Sequence, residues 1–266
     1  MSEMISRTAL ITGASSGLGA EFANQLAALG YDLILVARRE ERLEQVASSV
    51  RSNFGVKSIT LAADLSVLDE IEKVIGVINN TSNLELLVNN AGFGTMGRFL
   101  RVDAEKELAM VQVHMTAPVM LCRAVLPDMI SRNKGAIINV ASIAGIIPIR
   151  SVLYGTSKAF LISFSEALQA ELRKSEVRVQ ALCPGFIHTE FHDTSEYSRF
   201  SRASIPKVLW MQPQQVVSES LKSLQGKKVI CIPGFLYRFA GTVARNSLTS
   251  GLIILAARLI LRKRKH

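Results

Sequence analysis

The strongest constraint in this sequence is a repeated change of hydrophobic pattern. Short runs that are apolar at almost every position alternate with longer stretches of helical periodicity. The runs occupy residues 8–12, 32–37, 57–62, 84–89, 136–141, 178–183 and 229–232, and the helical stretches 17–29, 40–53, 67–80, 104–132, 154–174 and 213–224. A strand with no polar face must be covered on both sides. A helix between two such strands brings the chain back in the same direction, so the strands become parallel neighbours. The pattern implies an α/β fold, a doubly wound parallel sheet of about seven strands with helices on both faces. Ligand sites in such sheets lie beyond the carboxyl ends of the strands.

At 266 residues and 48% hydrophobic, the chain can bury the core of one large α/β unit spanning 1–266. Cys122, Cys183 and Cys231 stand singly in apolar surroundings, with no CxxC pair or His cluster, so no metal site is expected. The polar start MSEMIS runs directly into the strand-like RTALIT, which leaves no room for a signal peptide and implies a reducing, cytoplasmic setting. The net charge of +9 is local: after Glu219 there are ten Lys or Arg and no acid, whereas residues 1–219 carry 21 basic against 22 acidic residues. Basicity confined to one segment, without a recognition motif, argues against a nucleic-acid partner.

The first apolar run leads into Thr12-Gly13-Ala14-Ser15-Ser16-Gly17-Leu18-Gly19 and then a helix. Glycines permit a tight turn and close backbone approach, and the N–H groups of a helix N-terminus suit a pyrophosphate. This spacing resembles the TGxxxGxG turn of the short-chain dehydrogenase/reductase family, a family of Rossmann-type oxidoreductases. Asp64-Leu65 after the third run is similar to that family's adenine-contacting pair, and Asn89-Asn90-Ala91-Gly92 after the fourth to its NNAG motif. Pro184-Gly185-Phe186-Ile187-His188-Thr189 is similar to the PGxxxT segment, where backbone groups, including those about Ile187, and the Thr189 hydroxyl would hold the nicotinamide carboxamide. The resemblance covers roughly residues 7 to 190 and implies that Gly13, Ser15, Ser16, Gly17, Leu18, Gly19, Asp64, Leu65, Asn90, Ala91, Gly92, Pro184, Gly185, Ile187 and Thr189 line a dinucleotide site. The second run ends Val36-Ala37-Arg38-Arg39, with Ala37 where an NAD-selective fold carries an acid. A guanidinium pairs well with a 2′-phosphate, so Arg38 is expected to select NADP(H); Arg39 reads either as its helper or as a solvated helix start.

Tyr154 and Lys158 are four residues apart on a helix, hence on one face, and Ser142 ends the fifth run. A tyrosine with its ordinary pKa of ~10 transfers protons poorly near neutrality, and a neighbouring ammonium, with the positive nicotinamide of an oxidised cofactor, would lower it. The resemblance implies that Tyr154 exchanges a proton with a carbonyl or alcohol oxygen, Ser142 orients that oxygen, and Lys158 holds the nicotinamide ribose. Two features depart from the family pattern. His114 stands where the family usually has an Asn in a proton relay, and Ser142 precedes Tyr154 by 12 residues where many relatives have 13. His114 is either a relay group or a structural histidine, and the two departures leave an NADP-binding regulatory protein with weakened or lost catalysis as the alternative to an active oxidoreductase.

Residues 184–212 form a loop rich in apolar groups (Phe191, Tyr197, Phe200, Ile205, Val208, Leu209 and Trp210), which suits a lid over a hydrophobic ketone or alcohol or the packing of a loop against the body. The extension 234–266 ends in Gly251-Leu-Ile-Ile-Leu-Ala-Ala-Arg-Leu-Ile-Leu261 followed by Arg-Lys-Arg-Lys, too short to span a bilayer. It suits an amphipathic helix on an anionic membrane surface or a subunit contact with a solvated tail. Relatives commonly pair through the two long helices, here 104–132 and 154–174, which implies a homodimer or homotetramer.

Overall fold

The computed structural model describes residues 7–95, 97–147, 151–193 and 201–245. Seven parallel strands form its central sheet, in the order β3-β2-β1-β4-β5-β6-β9. They are β1 (Arg7–Thr12), β2 (Tyr31–Ala37), β3 (Ser58–Ala62), β4 (Leu84–Asn89), β5 (Ala136–Val140), β6 (Arg178–Leu182) and β9 (Ile230–Cys231). The order reverses between β1 and β4, which opens a crevice at their carboxyl ends. The seven apolar runs of the sequence are these seven strands, with ends shifted by a residue or two.

Helices cover both faces. On one side lie α1 (Gly17–Ala28), α2 (Glu40–Phe54) and α7 (Pro213–Leu224); on the other lie α3 (Leu68–Asn79), α5 (Ala117–Ser131) and α6 (Val152–Glu171). Strand alternation divides the core between them: Ala9 and Ile11 of β1 pack with Phe22, Leu26 and Leu43, whereas Leu10 packs with Ile71, Leu121 and Val125. Cys122, Cys183 and Cys231 are free and buried in this core.

The expected single helix over 104–132 is interrupted. It runs as α4 (Ala104–Val111), a π-helical turn (Gln112–Thr116) and α5, with the Ala117 N–H bonded back to the Gln112 carbonyl. Pro118 sits in the first turn of α5 and has no N–H to return, and its ring crowds the turn before it, so the helix widens there. Length and apolarity would suit this stretch to a membrane, but Met110, Val113, Ala117, Leu121, Val125 and Met129 are buried in the core.

Three further elements were not expected. Within the 184–212 loop, β7 (Phe186–Ile187) pairs in parallel with β8 (Trp210–Met211). Within the 234–266 extension, α8 (Phe235–Arg245) turns Phe235, Leu236 and Phe239 outward. Tyr197 and Phe200 of the loop and the apolar basic end from Gly251 onward lie outside the described residues.

A buried polar chain crosses the sheet beneath the crevice. Asn89 Nδ2 donates to Asn139 Oδ1 at 2.8 Å, Asn139 Nδ2 to Ser165 Oγ at 2.9 Å, and Ser165 Oγ to the Leu161 carbonyl at 2.7 Å. It ties β4, β5 and α6 together, and breaking it strands buried donors and acceptors. Asn139→Ala should lower the unfolding free energy by about 1–3 kcal/mol, measured by urea denaturation; an unchanged midpoint would show that the chain adds no net stability.

Candidate active site

The chain leaves β1 through a turn that only glycine can make. Gly13 and Gly17 have φ of 65° and 56°, where a Cβ meets backbone. At Gly19 the constraint is space: a Cβ there would lie 2.2 Å from the Gly13 carbonyl oxygen. Leu18 is buried, so this residue offers a ligand only its backbone. Ser16 precedes α1 without a side-chain cap, which leaves first-turn N–H groups free for an anion.

The loop after β4 holds this turn in place. Thr12 Oγ1 accepts from the N–H groups of Asn90 and Ala91, both at 3.0 Å, while Asn90 Nδ2 donates to the carbonyls of Thr12 (2.9 Å) and Gly13 (3.2 Å). The Asn90 side chain is thus committed to the glycine turn. Gly92 leaves a gap instead; a Cβ there would lie 2.8 Å from His114 Nε2 and 3.5 Å from Lys158 Nζ.

Three arginines converge beside the turn. Arg38 lies 3.6 Å from Asp64. Burial raises the Asp64 carboxyl, but hydrogen bonds from Ser66 and the Arg38 charge outweigh it and hold the group below its ordinary value. Leu65 is buried in the core, so Asp64 is the polar group at this strand end. Arg39 donates to Ser16 Oγ (2.7 Å), Ser15 Oγ (3.2 Å) and Glu190 (3.2 Å), and Arg42 donates to both Glu190 oxygens at 2.7 and 2.9 Å. The Arg39 hydrogen bond, against a small burial cost and together with the Arg42 charge, lowers the Glu190 carboxyl. Arg39 is therefore tied to the glycine turn. Sequence reading missed Arg42 and Glu190, although Arg42 lies in the first turn of α2, just after Arg38 and Arg39.

Ser142, Tyr154 and Lys158 meet at the end of β5. Ser142 caps a short 3-10 turn, its Oγ accepting from the Ala144 N–H at 3.1 Å. Lys158, 4% exposed, donates to the Val140 carbonyl at 2.9 Å, and its Nζ lies 5.8 Å from the Tyr154 ring centre. Burial pushes the Tyr154 phenol up to about 12, with a hydrogen bond from Ser142 opposing the shift. Burial likewise pulls the Lys158 ammonium down to about 7, weakly opposed by Cys183. The lysine alone does not lower the tyrosine, and the expected lowering drew on a positive nicotinamide as well. Taking the phenolate out of water costs more than an ammonium at that distance returns. The shorter spacing of Ser142 does not take it out of reach of Tyr154, since its hydroxyl acts on the phenol while donating to the Pro184 carbonyl at 3.5 Å.

His114 sits in the π-helical turn, fully buried. Its Nε2 accepts from the Phe93 N–H at 3.2 Å, and its Nδ1 lies 2.9 Å from Ser157 Oγ. Burial first, and the Lys158 charge second, hold its pKa well below the ordinary histidine value.

The segment after β6 closes over these groups. Thr189 packs on Gly17, where a Cβ would meet it at 3.3 Å, and the Phe191 ring lies 5.9 Å from that of Tyr154. Ile187 is buried, while the Pro184 carbonyl accepts from the Ile143 N–H at 2.9 Å. Gly185 is needed for packing: a Cβ there would lie 2.0 Å from the ring of Tyr237, an α8 residue that sequence reading passed over. Tyr237 Oη accepts from the Phe186 N–H (3.1 Å) and donates to the Leu209 carbonyl (2.6 Å), which braces the loop from behind.

A family profile described as short chain dehydrogenase matches residues 7–198. This chain belongs to the short-chain dehydrogenase family. Among its relatives is an uncharacterized oxidoreductase of Staphylococcus saprophyticus, 30% identical over 85% of this chain and 94% of that one. The very-long-chain 3-oxoacyl-CoA reductase-A of Danio rerio is 33% identical over 71% of this chain and 61% of its own length. Of solved structures, the short-chain dehydrogenase from Sphingobium yanoikuyae in complex with NADPH superposes with a TM-score of 0.81 at 30% identity, covering 98% of this chain and 96% of that one. The bulky-bulky ketone specific alcohol dehydrogenase from Comamonas testosteroni gives 0.77 at 28% identity, with coverage of 98% and 96%. The chain is thus a nucleotide-binding oxidoreductase of a family that acts on alcohols and ketones.

The buried lysine of this dehydrogenase makes its stability depend on pH. In the folded protein Lys158 releases its proton near pH 7, against an ordinary value of 10.5. Above pH 7 the unfolded chain therefore holds a proton at Lys158 that the folded chain has lost, and this lysine's contribution to stability rises with pH. Relative to Lys158→Met, wild-type unfolding free energy should climb between about pH 7 and 8.5. Parallel curves in urea titrations would refute it.

Proposed function

We propose that this protein transfers a hydride between NADP(H) and the carbonyl or secondary-alcohol carbon of a hydrophobic substrate. The observation that carries this reading is the meeting of Ser142, Tyr154 and Lys158 at the end of β5, with the uncapped N-terminus of α1 at the end of β1 and Gly92 letting the loop between them approach Lys158 closely. A dinucleotide fits that cradle: the N-terminus of α1 takes the pyrophosphate, and Lys158 the nicotinamide ribose. The nicotinamide supplies hydride and, when oxidised, a positive charge.

The protein's own groups manage the proton. With its pKa near 12, Tyr154 is a neutral phenol, the form that protonates the oxygen of a carbonyl as it becomes an alcohol. Ser142 holds that oxygen beside the phenol. In the oxidative direction Tyr154 accepts the proton, which requires more positive charge than Lys158 alone provides. Phe191 screens the reacting atoms from water and offers an apolar wall.

Arg38, Arg39 and Arg42 support NADP(H) over NAD(H). Ala37 offers no carboxylate to a ribose 2′-OH, and the carboxylate of Glu190 already draws two of the three guanidinium groups, as an anion would. Related solved structures include serine dehydrogenase complexed with NADP+ and a Burkholderia phymatum family member in complex with NAD, so the preference rests on these side chains. The hydrophobic substrate rests on Phe191 and Phe93 beside the site, in keeping with relatives named for bulky ketones and very-long-chain 3-oxoacyl-CoA.

Two variants test the reading. Tyr154→Phe should abolish turnover of hydrophobic ketones, followed by NADPH absorbance, while nucleotide binding measured by fluorescence persists; unchanged turnover would reject the mechanism. Arg38→Asp should weaken NADPH by roughly 10- to 100-fold, the loss of one charge-assisted contact, and leave NADH unchanged or tighter. Equal losses for both nucleotides would reject Arg38 as the selector.

A further inference from the structure

We propose that His114 is a positioning residue: together with Ser157 it pins the loop after β4 to the catalytic helix, and its ring carries no proton to or from the site. The inference rests on the reductase reading for its kinetic consequences, but the pin itself is a matter of hydrogen bonds.

Every proton in the linkage has one assignment. The Phe93 N–H donates to His114 Nε2, so that nitrogen presents a lone pair and the neutral ring carries its hydrogen on Nδ1. Nδ1 faces Ser157 Oγ at 2.9 Å. The Ser157 hydroxyl donates to the Tyr154 carbonyl, also at 2.9 Å, and so has a lone pair for the Nδ1–H. The result is a closed line from the Phe93 N–H through the imidazole and Ser157 to the backbone of Tyr154. A relay needs a nitrogen that can gain or lose a proton, and here both are engaged. An imidazolium would set an Nε2–H against the Phe93 N–H, donor facing donor.

The surroundings enforce the neutral ring. From α6, Lys158 brings a positive charge and the Tyr154 ring packs at 5.9 Å; from the loop after β4 come the Phe93 N–H and the Phe93 ring at 6.0 Å. No carboxylate acts on His114 among the described residues. Burial, the neighbouring ammonium and the hydrogen-bond pattern all favour the same state.

The pin joins elements that carry different parts of the site. Ser157 stands between Tyr154 and Lys158 in α6, so fixing its hydroxyl fixes the turn that presents both. Gly92 and Phe93 belong to the loop that also holds the glycine turn through Asn90 and Ala91. The gap at Gly92 admits both the Nε2 edge and Lys158 Nζ. The π-helical turn sets a histidine between loop and helix, where its two nitrogens reach one partner each. An Asn, the family's usual residue here, also has one donor and one acceptor, but its amide is shorter and spans less of the distance.

Three variants and one spectrum test this. His114→Phe keeps a ring but breaks both bonds; Ser157→Ala breaks one end of the pin while leaving the imidazole in place. Each should lower kcat by about tenfold to a hundredfold, the range for small misplacements of reacting groups. Neither should change the NADPH dissociation constant or the melting temperature to match. The double variant should be no slower than the worse single one, because both break one linkage. The wild-type shape of the pH–rate profile and the solvent isotope effect should persist in His114→Phe. A lost pH limb or an abolished isotope effect would establish a relay, and multiplicative losses in the double variant would show that the two residues act apart; each result overturns the proposal. Loss of melting temperature with kcat retained would make the residue merely structural, and would also overturn it. Independently of turnover, nitrogen NMR of histidine-labelled protein should show a neutral Nδ1–H ring at His114 from about pH 9 to pH 5. An imidazolium forming above about pH 6 overturns the pin even if no substrate is ever reduced. Wild type that turns over no ketone, with that NMR signature intact, would instead reject the reductase reading alone.

Discussion

The hydroxyl of Thr12 sits where the two halves of the sheet meet, and the site depends on what it holds. It accepts from two consecutive backbone N–H groups of the loop after β4, and Asn90 returns two hydrogen bonds to the chain leaving β1. Strand order reverses between these two strands, so their ends would otherwise part around an open crevice. The joint brings the glycine turn and the NNAG loop into contact, close enough that a single methyl at Gly19 would strike backbone. From the same loop the contacts run through Phe93 and His114 to α6, and so to Tyr154 and Lys158. Nucleotide cradle and proton-handling groups are therefore parts of one hydrogen-bonded frame.

Within that frame Tyr154 and Lys158 are held in unfavourable surroundings. Burial disfavours the charged form of each, so the tyrosine is pushed up and the lysine down. Neither rescues the other, because they are separated by 5.8 Å and the ammonium is turned to the Val140 carbonyl. The arrangement is suited to a partner that brings a ribose for Lys158 and, when oxidised, positive charge for Tyr154. In the function proposed above, the pair comes into use only with its nucleotide in place, which keeps a buried phenolate from standing uncompensated.

The architecture was legible because apolar runs without alternation have one solution, and their order fixed the positions of the motifs at strand ends. The nearness of Ser142, Tyr154 and Lys158 was legible for the same reason: they follow strand and helix ends that the pattern locates. The electrostatics were not. A short distance along a helix suggests that a lysine lowers a tyrosine's pKa, but the sign depends on how much water each group loses, which no spacing reveals. Arg42 and Glu190 escaped because their partnership joins α2 to the segment after β6, 148 residues away. Tyr237 escaped because α8 lies where composition suggested only a basic extension.

The interrupted helix shows the limit most clearly. Periodicity counts residues and assumes a constant rise, so 104–132 reads as one helix although Pro118 is in plain view. Proline within a helix ordinarily suggests a kink. Here the lost N–H is absorbed one turn earlier by a wider ring of hydrogen bonds, with the Ala117 N–H reaching Gln112. That choice depends on the neighbours: Val113 and Ala117 must stay in the core while His114 lies between the loop after β4 and α6. An α-helical continuation would rotate one set or the other out of place. The widened turn satisfies both, and it puts an imidazole at the junction of loop and catalytic helix.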